Sequence, residues 1–170
     1  MKLPEKQALN LINLYNEKGE KHGYWESYHD NGQLMWKGNY RNGKEDGYWE
    51  SYYSDGRLLC KGNYRNGSRK GYREWYHYNG QLMWKGNLIN GRRDGYWESY
   101  HDNGQLMRKG NYRNGKQDGY WEWYNFNGQL MSKGNYCNGE FIKEKPVTEL
   151  SMDEIAKKFG IPINQLKIKK

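Results

Sequence analysis

Five glutamates, Glu26, Glu50, Glu74, Glu98 and Glu122, recur every 24 residues. A row of carboxylates could act as paired acid and base, one holding a proton while its neighbour takes one up. A lysine recurs at the same spacing, at Lys37, Lys61, Lys85, Lys109 and Lys133. A lysine beside a glutamate lowers its pKa, whereas an acid catalyst needs it raised. Five near-identical copies also differ from the one unique constellation that an active site requires. The two rows read as an ion-pair ladder, and no catalytic residue is assigned.

His29, His77 and His101 share one slot of the repeat. Neighbouring strands lie about 4.8 Å apart, so a two-stranded repeat advances about 9.6 Å. Even His77 and His101 then stand too far apart to share a metal without other ligands. They read as solvated residues beside turns, and no metal site is assigned. Cys60 and Cys137 belong to repeats two and five, on the order of 29 Å apart by the same spacing. A disulfide needs Cα atoms within about 7 Å, so the two do not pair within one chain. No nucleophile elbow, P-loop or zinc-ligand spacing is present. The expectation is a chain that is not an enzyme and needs no cofactor.

The remaining chemistry is recognition, carried by aromatic and arginine side chains. Trp25, Trp49, Trp97 and Trp121 follow a Gly-Tyr pair in four copies, and Arg73 takes that slot in the third. Trp36 and Trp84 share another slot, where the fourth copy has Arg108. Leu88-Ile89 replaces the Tyr-Arg of other copies. Such departures from internal symmetry are where one specific partner could be read. The candidate partner-binding residues are Trp36, Arg73, Trp75, Trp84, Arg108 and Trp123.

Four glycine series keep the 24-residue period without drift, beginning at Gly23, Gly32, Gly38 and Gly43. That is the signature of a repeat array. With 17 Tyr, 8 Trp and 22 Gly beside few aliphatic residues, the chain cannot build a two-layer core, yet it is too aromatic for disorder. Each repeat reads as two strands, for example Tyr24 to Tyr28 and Gln33 to Tyr40, joined at Asn31-Gly32. A two-residue loop there sets Glu26 opposite Lys37, Trp25 opposite Gly38, Ser27 opposite Trp36 and Tyr28 opposite Met35. A following turn centred on Gly43-Lys44 sets Lys37 also opposite Glu50 and Gly38 opposite Trp49. The Glu–Lys rows become a continuous ladder, worth roughly 0.2–1 kcal/mol per directly opposed pair. Large and small partners exchange sides between Ser27–Trp36 and Trp123–Ser132, as one packing row demands. That exchange favours this register over a three-residue loop with a G1 bulge.

The organisation expected is a leader over 1–8, a capping half-repeat over 9–22 and five repeats at 23–46, 47–70, 71–94, 95–118 and 119–139. A linker over 140–150 and a short helical tail over 151–170 follow. Ser151 opens a capping box with Glu154, and Gly160 is the expected C-cap of a helix over 152–159. The fold class is an all-β repeat: a single-layer, twisted antiparallel sheet of 24-residue hairpins with a short C-terminal helical segment.

The frame Trp36-x-Gly38-x-Tyr40-x-Asn42-Gly43-Lys44-x-x-Gly47 resembles the MORN repeat. Tyr28-His29-Asp30-Asn31-Gly32-Gln33-Leu34 is similar to its bacterial variant. The resemblance covers about 9–139 and implies a twisted single sheet that serves as a scaffold or protein-binding module, in some members on membranes. Many bacterial variants are catalogued as antitoxin components, so it also implies antitoxin-like neutralisation. Residues 155–162 resemble the first helix and turn of a helix-turn-helix without its third helix, and a capping or docking helix is the preferred reading.

The formal net charge of +8 suits an acidic partner. The function expected is binding of a partner protein through an aromatic sheet face. The alternatives are nucleic-acid or nucleotide binding, with Arg and Lys on phosphates and Trp or Tyr on bases, and, more weakly supported, anionic membrane association. A homodimer could also cover the open face. The N-terminus has no apolar signal segment and no apolar run spans a membrane, which implies a cytoplasmic protein.

Overall fold

The structure is a computed structural model that describes residues 12–143 and 151–165. The expected leader, the linker beyond 143 and the last five residues lie outside the described residues. Twelve strands form one sheet in strict chain order, every neighbouring pair antiparallel. They are β1 Leu14–Tyr15, β2 Lys21–Tyr28, β3 Leu34–Arg41, β4 Lys44–Tyr52, β5 Leu58–Arg65 and β6 Ser68–Tyr76. The sheet continues through β7 Leu82–Ile89, β8 Arg92–Tyr100, β9 Leu106–Arg113, β10 Lys116–Tyr124, β11 Leu130–Cys137 and β12 Glu140–Ile142. Glu140–Ile142, expected at the start of a linker, instead pairs with β11 and gives the sheet its last edge.

The central ladders have the expected register. Trp25 pairs with Gly38, Glu26 with Lys37 and Ser27 with Trp36, and Lys37 pairs on its other side with Glu50. The turns that deliver this register differ from expectation. At the first, the His29 N–H donates to the Gln33 carbonyl and the Gly32 N–H to the His29 carbonyl, with Gly32 at φ 81°. This is the three-residue loop with a glycine bulge, not the two-residue loop. It places Tyr28 opposite Leu34 rather than Met35. Met35 is then an extra residue between the Tyr28–Leu34 and Ser27–Trp36 pairs, and it restores the ladder.

The second turn is also displaced by one residue. Arg41 pairs with Lys44, so the loop is Asn42-Gly43, both at positive φ as a type I′ turn requires. Between the Tyr40–Glu45 and Gly38–Trp49 pairs, β4 has three residues where β3 has one. Gly47, at φ 90°, lies in that bulge. Each hairpin thus contains paired irregularities that cancel.

The tail forms helix α1, Met152–Phe159, followed by a 3-10 turn at Ile163–Gln165. Ser151 and Glu154 close a reciprocal capping box, and Gly160 ends the helix at φ 64°.

Candidate functional site

Alternation along the strands gives the sheet two chemically distinct faces. The floor of the first is a row of buried indoles, Trp25, Trp49, Trp97 and Trp121. Each later indole lies flat over the glycine on the preceding strand. A Cβ on Gly38, Gly86 or Gly110 would fall within 2.3 Å of Trp49, Trp97 or Trp121. Only glycine permits that approach. The indole N–H is then held by the neighbouring carbonyl: Trp49 on Asn39 at 3.2 Å, Trp97 on Asn87 at 3.1 Å and Trp121 on Asn111 at 3.0 Å.

A second row on this face runs Ser27, Trp36, Ser51, Cys60, Trp75, Trp84, Ser99, Arg108, Trp123, Ser132, each opposite the next. Where two large residues meet, Trp75 and Trp84 stack with ring centroids 3.4 Å apart. Trp36 packs on Trp49, and Trp123 packs on Trp121 and Tyr136. Arg73, Trp75 and Trp84 therefore form one cluster at the centre of the sheet. Arg108 stands between Ser99 and Trp123 beside it, and Trp36 lies apart in the first hairpin.

Arg73 is only 2% exposed and lies over Gly62 in place of an indole. Its guanidinium sits 4.7 Å from the ring centres of Tyr64 and Trp75, and Nη2 reaches Cys60 Sγ at 3.6 Å. Nε and Nη1 are buried without a hydrogen-bond partner among the described residues. Sequence alone offered Arg73 as a contact residue; its side chain is instead covered by the chain's own rings.

Two cations on this face were not singled out in the sequence. The Lys21 ammonium lies over Trp25, Trp36 and Tyr40, and the Arg93 guanidinium over Trp84, Trp97 and Tyr112. Arg69, in the same repeat slot, donates to the Tyr64 hydroxyl at 3.2 Å. The signal available was the recurrence of Lys21, Glu45, Arg69, Arg93 and Gln117 at the repeat period. Glu45 is the carboxylate among these cations. Burial pushes its pKa up, against the downward pull of Arg69, Arg73 and Lys21.

The opposite face carries the charged ladder. Glu50 accepts from Tyr48 at 3.2 Å and Tyr52 at 2.5 Å and pairs with Lys37 at 2.8 Å. The unit repeats at Glu74 with Lys61 and at Glu98 with Lys85. Lys109 likewise pairs with Glu122 at 2.9 Å. Among the described residues, each close Lys–Glu pair joins a lysine to the glutamate of the following repeat. The ladder is therefore one-sided: Glu26, opposite Lys37, is held by the hydroxyls of Tyr28 and Tyr24 instead. Burial raises the pKa of Glu50, Glu74 and Glu98, but hydrogen bonds from the lysine and tyrosines outweigh it and the net shift is downward. Tyr48, Tyr72, Tyr96 and Tyr120 are about half exposed here, making this the more open aromatic row.

With this geometry in place, the MORN repeat variant family model matches residues 21–44, 45–66, 93–114 and 117–138, just over half of the chain. The chain belongs to the MORN repeat variant family. No curated protein matches it by sequence. As a MORN repeat scaffold, it carries its aromatic clusters on a single open sheet. The matched stretches stand on either side of 67–92, which holds Arg73, Trp75 and Trp84.

The MORN histidines are not simply solvated. His29, His77 and His101 are half-buried, with Nε2 3.1, 3.0 and 3.1 Å from the carbonyls of Tyr52, Tyr100 and Tyr124 in the next repeat. Tyr53 occupies their slot in repeat two and bonds the Tyr76 carbonyl through its hydroxyl at 2.9 Å. The slot staples successive MORN repeats along the turn edge. Among the described residues no group of three or more His, Cys, Asp or Glu is gathered to hold a metal. Cys60 is buried, Cys137 is exposed, and both are free thiols.

Proposed function

We propose that this MORN-repeat sheet is a non-enzymatic scaffold that binds an acidic partner protein through its indole face, acting in the cytoplasm. Its most specific form is antitoxin-like neutralisation of that partner. The observation that carries the reading is the difference between the faces. On the tyrosine face the glutamates are met by tyrosine hydroxyls and lysines, in a pattern that hardly varies between repeats. On the indole face lie Arg73, Leu88 and Arg108, where the repeats differ, together with every buried side-chain nitrogen lacking a partner among the described residues. Arg73 is covered by the chain's own rings, so the cation available to an acidic surface is Arg108, which is half-buried.

A nucleic-acid partner receives less support. Of Arg41, Arg65 and Arg113, which recur beside the second turn, Arg41 and Arg113 are paired with Asp46 and Asp118 at 3.0 Å. They form no free basic stripe for phosphates.

The test is affinity purification of the tagged chain from native lysate after nuclease treatment. The wild type is compared with Trp84→Ala/Arg108→Glu on one face and Tyr72→Ser/Tyr96→Ser on the other. A stoichiometric acidic protein kept by the tyrosine-face variant and lost by the indole-face variant supports the reading. Loss from the tyrosine-face variant alone overturns it, as does a wild-type partner released by nuclease.

A further inference from the structure

Where repeats three and four meet, the indole face opens into a depression of about 540 Å³ lined by Met83, Trp84, Arg93, Ser99, Met107 and Arg108. Its position follows from the register. Met83 and Met107 are the extra residues that each hairpin inserts next to its loop, so their thioethers are displaced from the regular alternation. Trp84 and Arg108 oppose the small Ser99 from its two sides, which leaves room above the buried serine. One wall is therefore apolar and adaptable, and the other is cationic.

The two arginines are not equivalent. Arg93 is engaged by the chain itself: its Nη1 donates to the Tyr112 hydroxyl at 3.0 Å, and its plane lies over three rings. Among the described residues Arg108 has no such engagement, and its Nε is buried without an acceptor. Asp102, exposed on the adjoining turn, also borders the depression. Its backbone carbonyl accepts from Asn79, which holds the turn in place.

We propose that this depression receives an acidic peptide segment of the partner, with a carboxylate on Arg108 and a neighbouring apolar side chain against Met83, Met107 and the edge of Trp84. The Arg108 guanidinium borders the depression, and its planar fork of donors is suited to a carboxylate. A nucleobase fits less well, because stacking needs a free ring face. Trp84 is already stacked on Trp75 and has the Arg93 guanidinium over it. The identity of the occupant as part of a protein rests on the partner-binding reading above; the selectivity of the depression can be measured without any native partner.

The experiment uses the full chain with methyl-labelled methionine, Met83 and Met107 being assigned through Met→Leu variants. It is titrated with acetyl-Leu-Glu-Phe-Asp-Leu-amide, with the isosteric acetyl-Leu-Gln-Phe-Asn-Leu-amide, and with adenosine monophosphate. The acidic peptide is expected to shift the Met83 and Met107 methyl signals and leave Met131 unmoved. The amide peptide binds roughly tenfold more weakly or less, the size that one charge-assisted hydrogen bond supplies. Arg108→Gln removes that preference while the remaining spectrum is unchanged. Equal binding of the two peptides on the unmodified chain overturns the proposal, as does no movement of the two methyls. A stronger response to the nucleotide overturns it in favour of phosphate recognition. Acid selectivity here with no acidic protein captured on the indole face would leave the depression standing and remove the scaffold function; the reverse would do the opposite.

Discussion

Gly86→Ala isolates the contact on which the indole row depends. The backbone at Gly86 is not in the left-handed region, so the substitution brings no torsional strain and acts through space alone. The new methyl carbon would stand 2.3 Å from Trp97 Cδ2 and 2.4 Å from Cε2. Carbons rest about 3.5 Å apart, so the indole must lift by roughly 1.2 Å. That movement disrupts the 3.1 Å bond from Trp97 Nε1 to the Asn87 carbonyl and opens one of the most deeply buried side chains in the sheet. Overpacking costs about 1–3 kcal/mol and an orphaned buried donor about 1–3 more, so the expected loss is about 2–6 kcal/mol. Gly134→Ala is the matched control. Its methyl would stand 2.2 Å from Phe141 Cε2, but Phe141 is half-exposed on the three-residue edge strand β12 and can swing away. Its expected cost is under about 1 kcal/mol, because the cost of a clash depends on how far the site can yield. Guanidinium unfolding followed by tryptophan fluorescence compares the two. Equal losses, or a Gly86→Ala loss under about 1 kcal/mol, would refute the reasoning.

Arg73→Trp returns the third repeat to the pattern of the others and removes a buried guanidinium with two unpartnered nitrogens. The variant should be more stable by about 1–3 kcal/mol, read as a higher unfolding midpoint; a lower midpoint means that Arg73 is better satisfied than its contacts indicate. The tyrosine face sets a pH window. Glu50, Glu74 and Glu98 have folded-state pKa values below the ordinary value, so their stabilisation is present above about pH 4.3 and fades as pH falls through the depressed values. Burial and the hydrogen bond to Glu74 push Tyr72 up to about 12, and Tyr24 is raised to about 12 in the same way by burial and Glu26. Their contribution is present below about pH 10 and lost as pH rises through 12. Ultraviolet titration should find these two phenols protonated at pH 11, and ionisation of all tyrosines near pH 10 would contradict the ladder.

Much of this fold was legible because the 24-residue period locks every repeat to its neighbours. The opposition of Glu26 with Lys37 and of Trp25 with Gly38 follows from composition at fixed spacing, and the sheet adopts it. The turns were less legible for a physical reason: Asn31-Gly32 suits either loop, and one displaced residue at Met35 reconciles the longer loop with the same ladder. A pattern read along the ladder therefore cannot determine the turn beside it. Depth was equally hidden. Alternation assigns Arg73 to a face, but its burial depends on the small neighbours Gly62 and Cys60 beneath and beside it. The one-sided ion pairs and the histidine staples also depend on side-chain reach across a repeat boundary, which residue spacing does not specify.

The central claim, that the indole face meets the partner, is tested most directly by oxidative footprinting of the chain alone and in its purified complex. The account predicts protection of Trp84, Trp123, Met83 and Met107, with Tyr48, Tyr72, Tyr96 and Tyr120 as reactive in the complex as in the free chain. Protection of the four tyrosines with unchanged reactivity at Trp84 and Met107 would contradict it and assign recognition to the charged ladder instead.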